Sequence, residues 1–231
     1  MLVDSHSHLF LEEFAEDLPF VMERARAAGV THIFMPNIDS TTIEPMLSVC
    51  DTYRDFCFPM IGLHPTSVNE SYEKELEIVA ANLETSGRFV AVGEIGIDLY
   101  WDKTWLKEQL IAFEKQVQWA LHYQLPIVIH CREAFDYIYK VLQPYKNSGL
   151  TGIFHSFTGT PGEAVRMMEF PGFKIGINGV VTFKKSTLPE TLKSVPLERI
   201  VLETDSPYLT PVPNRGKRNE IERVRKVFEK H

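Results

Sequence analysis

Cysteine is scarce in this sequence. Cys50, Cys57 and Cys131 are three in 231 residues, an odd count without a C-x-x-C pair, which excludes a disulfide framework and a thiolate zinc site. Any metal must therefore be held by nitrogen and oxygen. No apolar run approaches the roughly 18 residues of a bilayer span, and Met1 to Asp4 carries neither a basic n-region nor an apolar h-region. A cytoplasmic protein without a membrane partner is expected. Neither G-x-G-x-x-G nor G-x-x-x-x-G-K-[ST] occurs, and Gly93-Glu94-Ile95-Gly96 fits neither pattern, so a dinucleotide fold or P-loop has no support. Positive charge is in deficit. The formal charge of −7 argues against broad attraction to nucleic acid, although a local basic patch can hold a phosphate on an acidic protein.

What is present belongs to an ordinary globular chain, with 44% hydrophobic and 24% charged residues, far from a disordered or fibrous composition. Apolar runs of strand length alternate with helical spacing from end to end. Leu2-Val3 opens a first strand, Pro19 to Ala28 has helical spacing and stops at Gly29, and Thr31 to Met35 is β-branched and apolar. Thr41 and Thr42 offer caps for a helix carrying Ile43, Met46, Leu47 and Val49. Phe56 to Leu63 reads as strand, Tyr72 to Thr85 as helix, and Phe89 to Val92 as a short strand running into the glycine-bearing Gly93 to Asp98. Trp105 to Tyr123 has the longest helical stripe, and Pro126 turns the chain into Ile127-Val128-Ile129-His130. Ala134 to Leu142, Pro161 to Glu169 and Leu188 to Val195 read as helices; Gly152 to His155, Phe173 to Ile177 and Arg199 to Asp205 read as strands. Eight strands alternating with helices predict the α/β class, a closed (β/α)8 TIM barrel filling residues 1–231 as one domain.

Against that frame the polar residues are informative. His6 and His8 alternate along an extended segment, share one face with Cα atoms roughly 6–7 Å apart, and can supply half the shell of one metal ion. His-x-His also occurs by chance at exposed strand ends. Its company decides the reading: His64 follows strand three, Glu94 strand four, His130 strand five, His155 strand six and Asp205 strand eight. Each alone has an ordinary explanation, a strand cap for His130 or His155, a solvated Glu94, a loop cap for Asp205. Together they place metal-competent groups at strand ends that, in this fold, form the active face, mostly after apolar residues where an unpaired charge is expensive. His32, His122 and His231 fall at a strand start, in a helix and at the terminus. Four histidines and two carboxylates suit two divalent ions about 3.5–4 Å apart, which can bind an attacking hydroxide and stabilise charge on the scissile group.

His6-Ser7-His8, Gly93-Glu94-Ile95-Gly96-Ile97-Asp98, His130-Cys131-Arg132-Glu133-Ala134, Phe154-His155-Ser156-Phe157 and Glu203-Thr204-Asp205-Ser206-Pro207-Tyr208-Leu209 resemble the TatD family of metal-dependent DNases, within the amidohydrolase superfamily. Gly62-Leu63-His64-Pro65 and Arg215-Gly216-Lys217-Arg218-Asn219-Glu220 resemble it too. The match runs in order over almost the whole chain. The resemblance implies His6 and His8 on one metal, Glu94 bridging, His130 and His155 on the second, and Asp205 completing the first while orienting or deprotonating the water. It further implies DNA as substrate, trimmed from its 3′ end with Mg2+ or a similar ion; residue chemistry alone reaches a binuclear hydrolase, and Mg2+, Mn2+ and Zn2+ stay open. An amidohydrolase or deacylase acting on amide or ester bonds, such as aminoacyl-tRNA, is the enzymatic alternative, and a non-catalytic metal-binding barrel the third reading. Glu94 standing where many amidohydrolases use a carbamylated lysine favours the DNase branch.

His64, Arg132 and Arg215 are expected to face the substrate. Arg132 lies two residues past His130, where its guanidinium fork suits a phosphate. Lys184, Lys185, Lys217 and Arg218 are either further basic residues at the mouth or solvated surface. Tyr100, Trp101 and Trp105 can stack single-stranded bases or pack under the fourth loop. A monomer is expected. In one place the pattern departs from the family: Ile221 follows Glu220 where a proline and a longer helical tail are usual, so a short or incomplete eighth helix is expected.

Overall fold

The computed structural model describes residues 1–230, so His231 lies outside the described residues. The elements are β1 (Leu2–Asp4), α1 (Leu18–Ala27), β2 (Val30–Pro36), α2 (Ser40–Thr52), β3 (Cys57–Met60), α3 (Tyr72–Ser86), β4 (Val92–Asp98) and α4 (Leu106–Tyr123). They continue with β5 (Ile127–Arg132), α5 (Phe135–Leu142), β6 (Gly152–Phe154), α6 (Pro161–Met168), β7 (Phe173–Ile177), α7 (Leu188–Leu192), β8 (Ile200–Leu202) and α8 (Val224–Lys230). Every strand pairing is parallel, in the runs β1-β2-β3 and β4-β5-β6-β7-β8. Two seams join the runs into a (β/α)8 barrel. At one, Gly93 N–H donates to Ile61 O at 2.8 Å; at the other, Ser5 N–H donates to Leu202 O at 3.0 Å and His8 N–H to Ser206 O at 2.8 Å. Single parallel bridges, Ile61 with Val92 and Ser7 with Ser206, mark the same closures. Among the described residues no helix is long and apolar enough to cross a membrane.

The helices form where apolar residues recur at three- and four-residue spacing. On α4, Ala112, Phe113, Val117 and Ala120 are buried in one stripe, the face an amphipathic helix turns to a sheet, and the helix ends where Gln124 takes a left-handed φ of 55°. The cap of α2 is Asp39, not the expected threonines: its carboxylate accepts from Thr41 N–H, while the Thr42 hydroxyl accepts from Asp39 N–H. Both threonines lie inside the helix, in a reciprocal box where a carboxylate outcompetes a hydroxyl for the free N–H groups.

The fourth strand also differs from the expectation. It begins at Val92 and runs to Asp98, paired with β5 as far as Asp98 opposite Arg132, so Glu94 sits within the strand and not at its tip. Close approach explains the length: a Cβ at Gly96 would stand 1.9 Å from the His130 carbonyl oxygen, and only glycine lets these two backbones meet. Strands three and eight are shorter than expected, ending at Met60 and Leu202, which leaves His64 and Asp205 on the loops beyond. Glu220 leads into a 3-10 turn, Ile221–Arg223, and then α8, with Ile221 and Val224 buried.

Candidate metal centre

Glu94 is the hub. Its side chain is buried, and Oε2 lies 3.1 Å from His6 Nε2 and 3.8 Å from His8 Nε2. Its Oε1 faces the other way, 2.9 Å from His130 Nδ1, 3.4 Å from His64 Nε2 and 3.7 Å from His155 Nε2. Asp205 Oδ1 closes the ring at 3.6 Å from His8 Nε2, 3.8 Å from His155 Nε2 and 3.9 Å from His6 Nε2. Thus all six expected ligand groups meet, and His64 joins them. Asp205 reaches the ring from a left-handed backbone, φ 57°, a conformation a non-glycine residue keeps only where its surroundings impose it.

The electrostatics follow from burying so many titratable groups together. Burial opposes charge on Glu94, yet the imidazoles of His64, His6 and His155 hold its carboxyl well below the usual carboxylate range. Asp205 behaves alike: burial would raise it, and His155 with a hydrogen bond from His8 lowers it. His6 and His64 are pushed down, chiefly by burial. For His130 burial is outweighed by the Asp98 and Glu94 carboxylates, which lift it to about 9; for His155 it is outweighed by Glu203, Glu94 and Asp205, which lift it to about 10.

Several residues behind these groups carry no expectation from sequence. Asp98 Oδ2 accepts from His130 Nε2 at 2.7 Å, and its Oδ1 accepts from the N–H groups of Tyr100 and Trp101 at 2.9 and 3.3 Å. Glu203, fully buried, accepts from His155 Nδ1 at 3.1 Å and from Ser156 N–H at 2.7 Å. Asp4 accepts from Thr204 N–H and hydroxyl at 2.9 and 2.6 Å, which ties β1 to the loop carrying Asp205. The signal available for Glu203 was its place directly after the apolar Ile200-Val201-Leu202, since a carboxylate entering a core needs a partner.

The donor set fits divalent ions. Ligand atoms about 2.0–2.2 Å from one ion stand about 3.0–3.6 Å from one another, close to the separations around Glu94. His6-His8-Asp205 and His64-Glu94-His130 each bring three donor atoms within 4.8 Å, as does His6-His155-Glu203, although Glu203 is already committed to His155 and Ser156. His6 Nε2 and His8 Nε2 face each other at 3.2 Å, and the buried Nδ1 atoms of both rings have no partner.

A family model described as TatD related DNase matches residues 3–231. The chain belongs to that family. Among curated TatD-family relatives, an uncharacterized metal-dependent hydrolase of Bacillus subtilis, YabD, is 37% identical over 230 residues, covering 99% of this chain and 89% of the relative. A protein of Pantoea ananatis named 3′-5′ ssDNA/RNA exonuclease TatD is 31% identical over 225 residues, covering 95% and 86%. The crystal structure of a TatD homolog from Escherichia coli, YJJV, superposes with a TM-score of 0.92 at 29% identity, covering 99% of this chain and 88% of that one. Membership of the TatD family makes the chain a metal-dependent hydrolase and its barrel the TatD barrel.

The mouth of this TatD-family barrel is a pocket of about 640 Å3 that includes His64, Glu94, Trp101, Arg132 and Asp205. The Arg132 guanidinium lies 3.7 Å above the Tyr100 ring and 5.4 Å from Trp101. Arg215 is outside the pocket, stacked 3.7 Å over Phe183 in an adjoining groove. Two sequence alternatives resolve against the mouth. Arg218 is engaged by Asp17, at 2.7 and 2.8 Å, and by Glu220 at 3.0 Å, and Trp105 packs against the core.

Proposed function

We propose that this TatD-family chain is a two-metal deoxyribonuclease that removes nucleotides stepwise from the 3′ ends of single-stranded DNA. The observation that carries the reading is the division of Glu94: Oε2 faces His6 and His8, and Oε1 faces His64, His130 and His155, the posture of a carboxylate shared between two ions. His6, His8 and Asp205 would hold one divalent ion with Oε2; His130 and His155 would hold the other with Oε1. His64, which the sequence assigned to substrate, is better placed in the second group, since its Nε2 lies 3.4 Å from Oε1. Imidazole nitrogen favours Zn2+ by affinity, while carboxylate and phosphate oxygens admit Mg2+ and Mn2+.

When bound, such a pair of ions supplies Lewis acidity and acidifies a water molecule. Asp205, which His155 and a hydrogen bond from His8 hold ionised against its burial, would accept the proton of that water at its other carboxylate oxygen, since Oδ1 faces His6, His8 and His155. Arg132, held flat on Tyr100, offers its N–H edge to a phosphate oxygen of the strand. All these groups come from one chain, so a monomer suffices.

The decisive experiment offers metal-loaded protein linear and circular single-stranded DNA. Mononucleotide release from the linear strand alone is expected, with Asp205→Asn slower by about 10²–10⁴-fold, the span of a lost general base. Arg132→Ala should weaken DNA binding and flatten its salt dependence by about 0.7 in log–log slope, one phosphate contact. An intact linear strand beside cleavage of amide or acyl model substrates overturns the proposal in favour of an amidohydrolase.

A further inference from the structure

Beyond Tyr208 and Leu209, which line the metal pocket, those same two residues form one wall of a separate groove of about 430 Å3. Phe183 and Arg215 stand in it with the guanidinium 3.7 Å over the ring, Lys217 is exposed beside them, and Tyr208 is 48% exposed. The groove is already shaped. The Thr210 hydroxyl donates to Lys217 O at 2.5 Å, Lys226 Nζ donates to Asn214 Oδ1 at 2.7 Å, and Val212 N–H donates to Thr182 Oγ1 at 2.9 Å. These bonds anchor the loop that carries Arg215 and Lys217. On the opposite side of the metal pocket, Arg132 with Tyr100 and the 71% exposed Trp101 forms a second pairing of a cation with aromatic faces.

We propose that the Phe183–Arg215 groove is a nucleotide subsite for the strand upstream of the bond that is cut, with the terminal nucleotide held on the Arg132 side. The proposal rests on the phosphodiester reading above and deepens it. Aromatic faces accept any base, and flanking cations accept the phosphates between bases, which is how single strands are gripped without sequence preference. Arg215 and Lys217 can serve because neither makes an ion pair among the described residues, whereas Arg218, adjacent in sequence, is consumed by Asp17 and Glu220. The direction follows from which pocket each cation lines. Arg132 lines the pocket that contains Glu94 and Asp205, whereas Arg215 and Lys217 lie outside it in the adjoining groove, on an exposed loop past which a strand of any length can leave. Glu13 also lines the groove, and its charge opposes that of a phosphate.

The test measures binding by fluorescence anisotropy, with the full chain loaded with Ca2+ and phosphorothioate DNA that resists cleavage, comparing a mononucleotide with a tetranucleotide. The tetranucleotide is expected to bind more tightly, and Phe183→Ala or the surface change Lys217→Glu to weaken its binding about tenfold, the scale of one lost stacking or phosphate contact. Glu13→Gln should tighten it. Equal affinities for the two ligands, or a tetranucleotide advantage that both Phe183→Ala and Lys217→Glu leave intact, overturns the subsite while the phosphodiester reading stands. An advantage that these variants abolish, in a protein that cleaves no DNA with any metal, supports the subsite and overturns the nuclease reading instead.

Discussion

On the His6 and His8 side of Glu94 both outer Nδ1 atoms are buried without a partner, whereas on the other side His130 and His155 each give their outer nitrogen to a carboxylate, Asp98 and Glu203. The first pair is positioned by backbone. His8 N–H bonds to Ser206 O and Asp205 N–H to His6 O at 3.0 Å, so the seam that closes the barrel also aims the rings. The second pair is positioned by side chains, and that choice carries a charge. Against burial, Asp98 and Glu94 lift His130 to about 9, and Glu203, Glu94 and Asp205 lift His155 to about 10, while burial pushes His6 down. Burial pushes down an imidazole in each half, His6 in one and His64 in the other, but only the braced half also holds two imidazoles with their protons in place.

The largest effect should come from removing what the halves share. Glu94→Ala takes away the oxygen that faces each group, and metal content is expected to fall from about two ions per chain towards none, with activity down at least about 10³-fold, the scale of losing a principal electrostatic contributor. Elemental analysis after gel filtration reads this directly. Retention of one tightly held ion would show that the halves fill independently.

A smaller and one-sided effect is expected from the braces. Asp98→Asn and Glu203→Gln should each weaken the binding of one ion about 10–100-fold, the usual consequence of losing the partner that orients a ligating histidine, and leave the other nearly unchanged. Competition with a chromogenic chelator separates the two affinities. Equal losses at both would dissolve the contrast drawn above.

The smallest effect is a proton balance. In the metal-free protein His130 and His155 are protonated below about 9 and 10, and a cation must displace those protons to reach the nitrogens. Affinity on that side should therefore rise with pH up to those values and then level off. Titration calorimetry at pH 7.5 in buffers of different ionisation heat should detect protons released by the braced half, and no release would mean that the carboxylates do not hold the imidazoles charged.

The alternation of strands and helices was legible because every element follows its own period, and His6, His8, Glu94, His130, His155 and Asp205 were legible because each is a polar residue ending or interrupting an apolar run. What escaped depends on distance along the chain. The Arg218 pairing with Asp17 joins residues 201 apart, and no local pattern separates a committed arginine from a free one such as Arg215. Asp98 and Glu203 escaped for a subtler reason: they lie in the same short runs as Glu94 and Asp205, and spacing alone does not say which carboxylate faces an ion and which faces a histidine. Strand four was placed too early, at Phe89 to Val92, because the glycines after it are weak strand formers, yet Gly96 is what allows β4 and β5 to touch.

Glu203 also has a neighbour that limits how this barrel can change over time. A Cβ at Gly176, on β7, would stand 2.2 Å from Glu203 Oε2, so the carboxylate occupies the space a side chain there would need. Alanine at 176, a single nucleotide away in the genetic code, would displace the group that holds His155 without altering any residue at the mouth. A lineage that took that substitution would have to move or shorten the side chain at 203, and His155 would then need another acceptor. The absence of one methyl group on the seventh strand is thereby inherited together with the chemistry of the sixth.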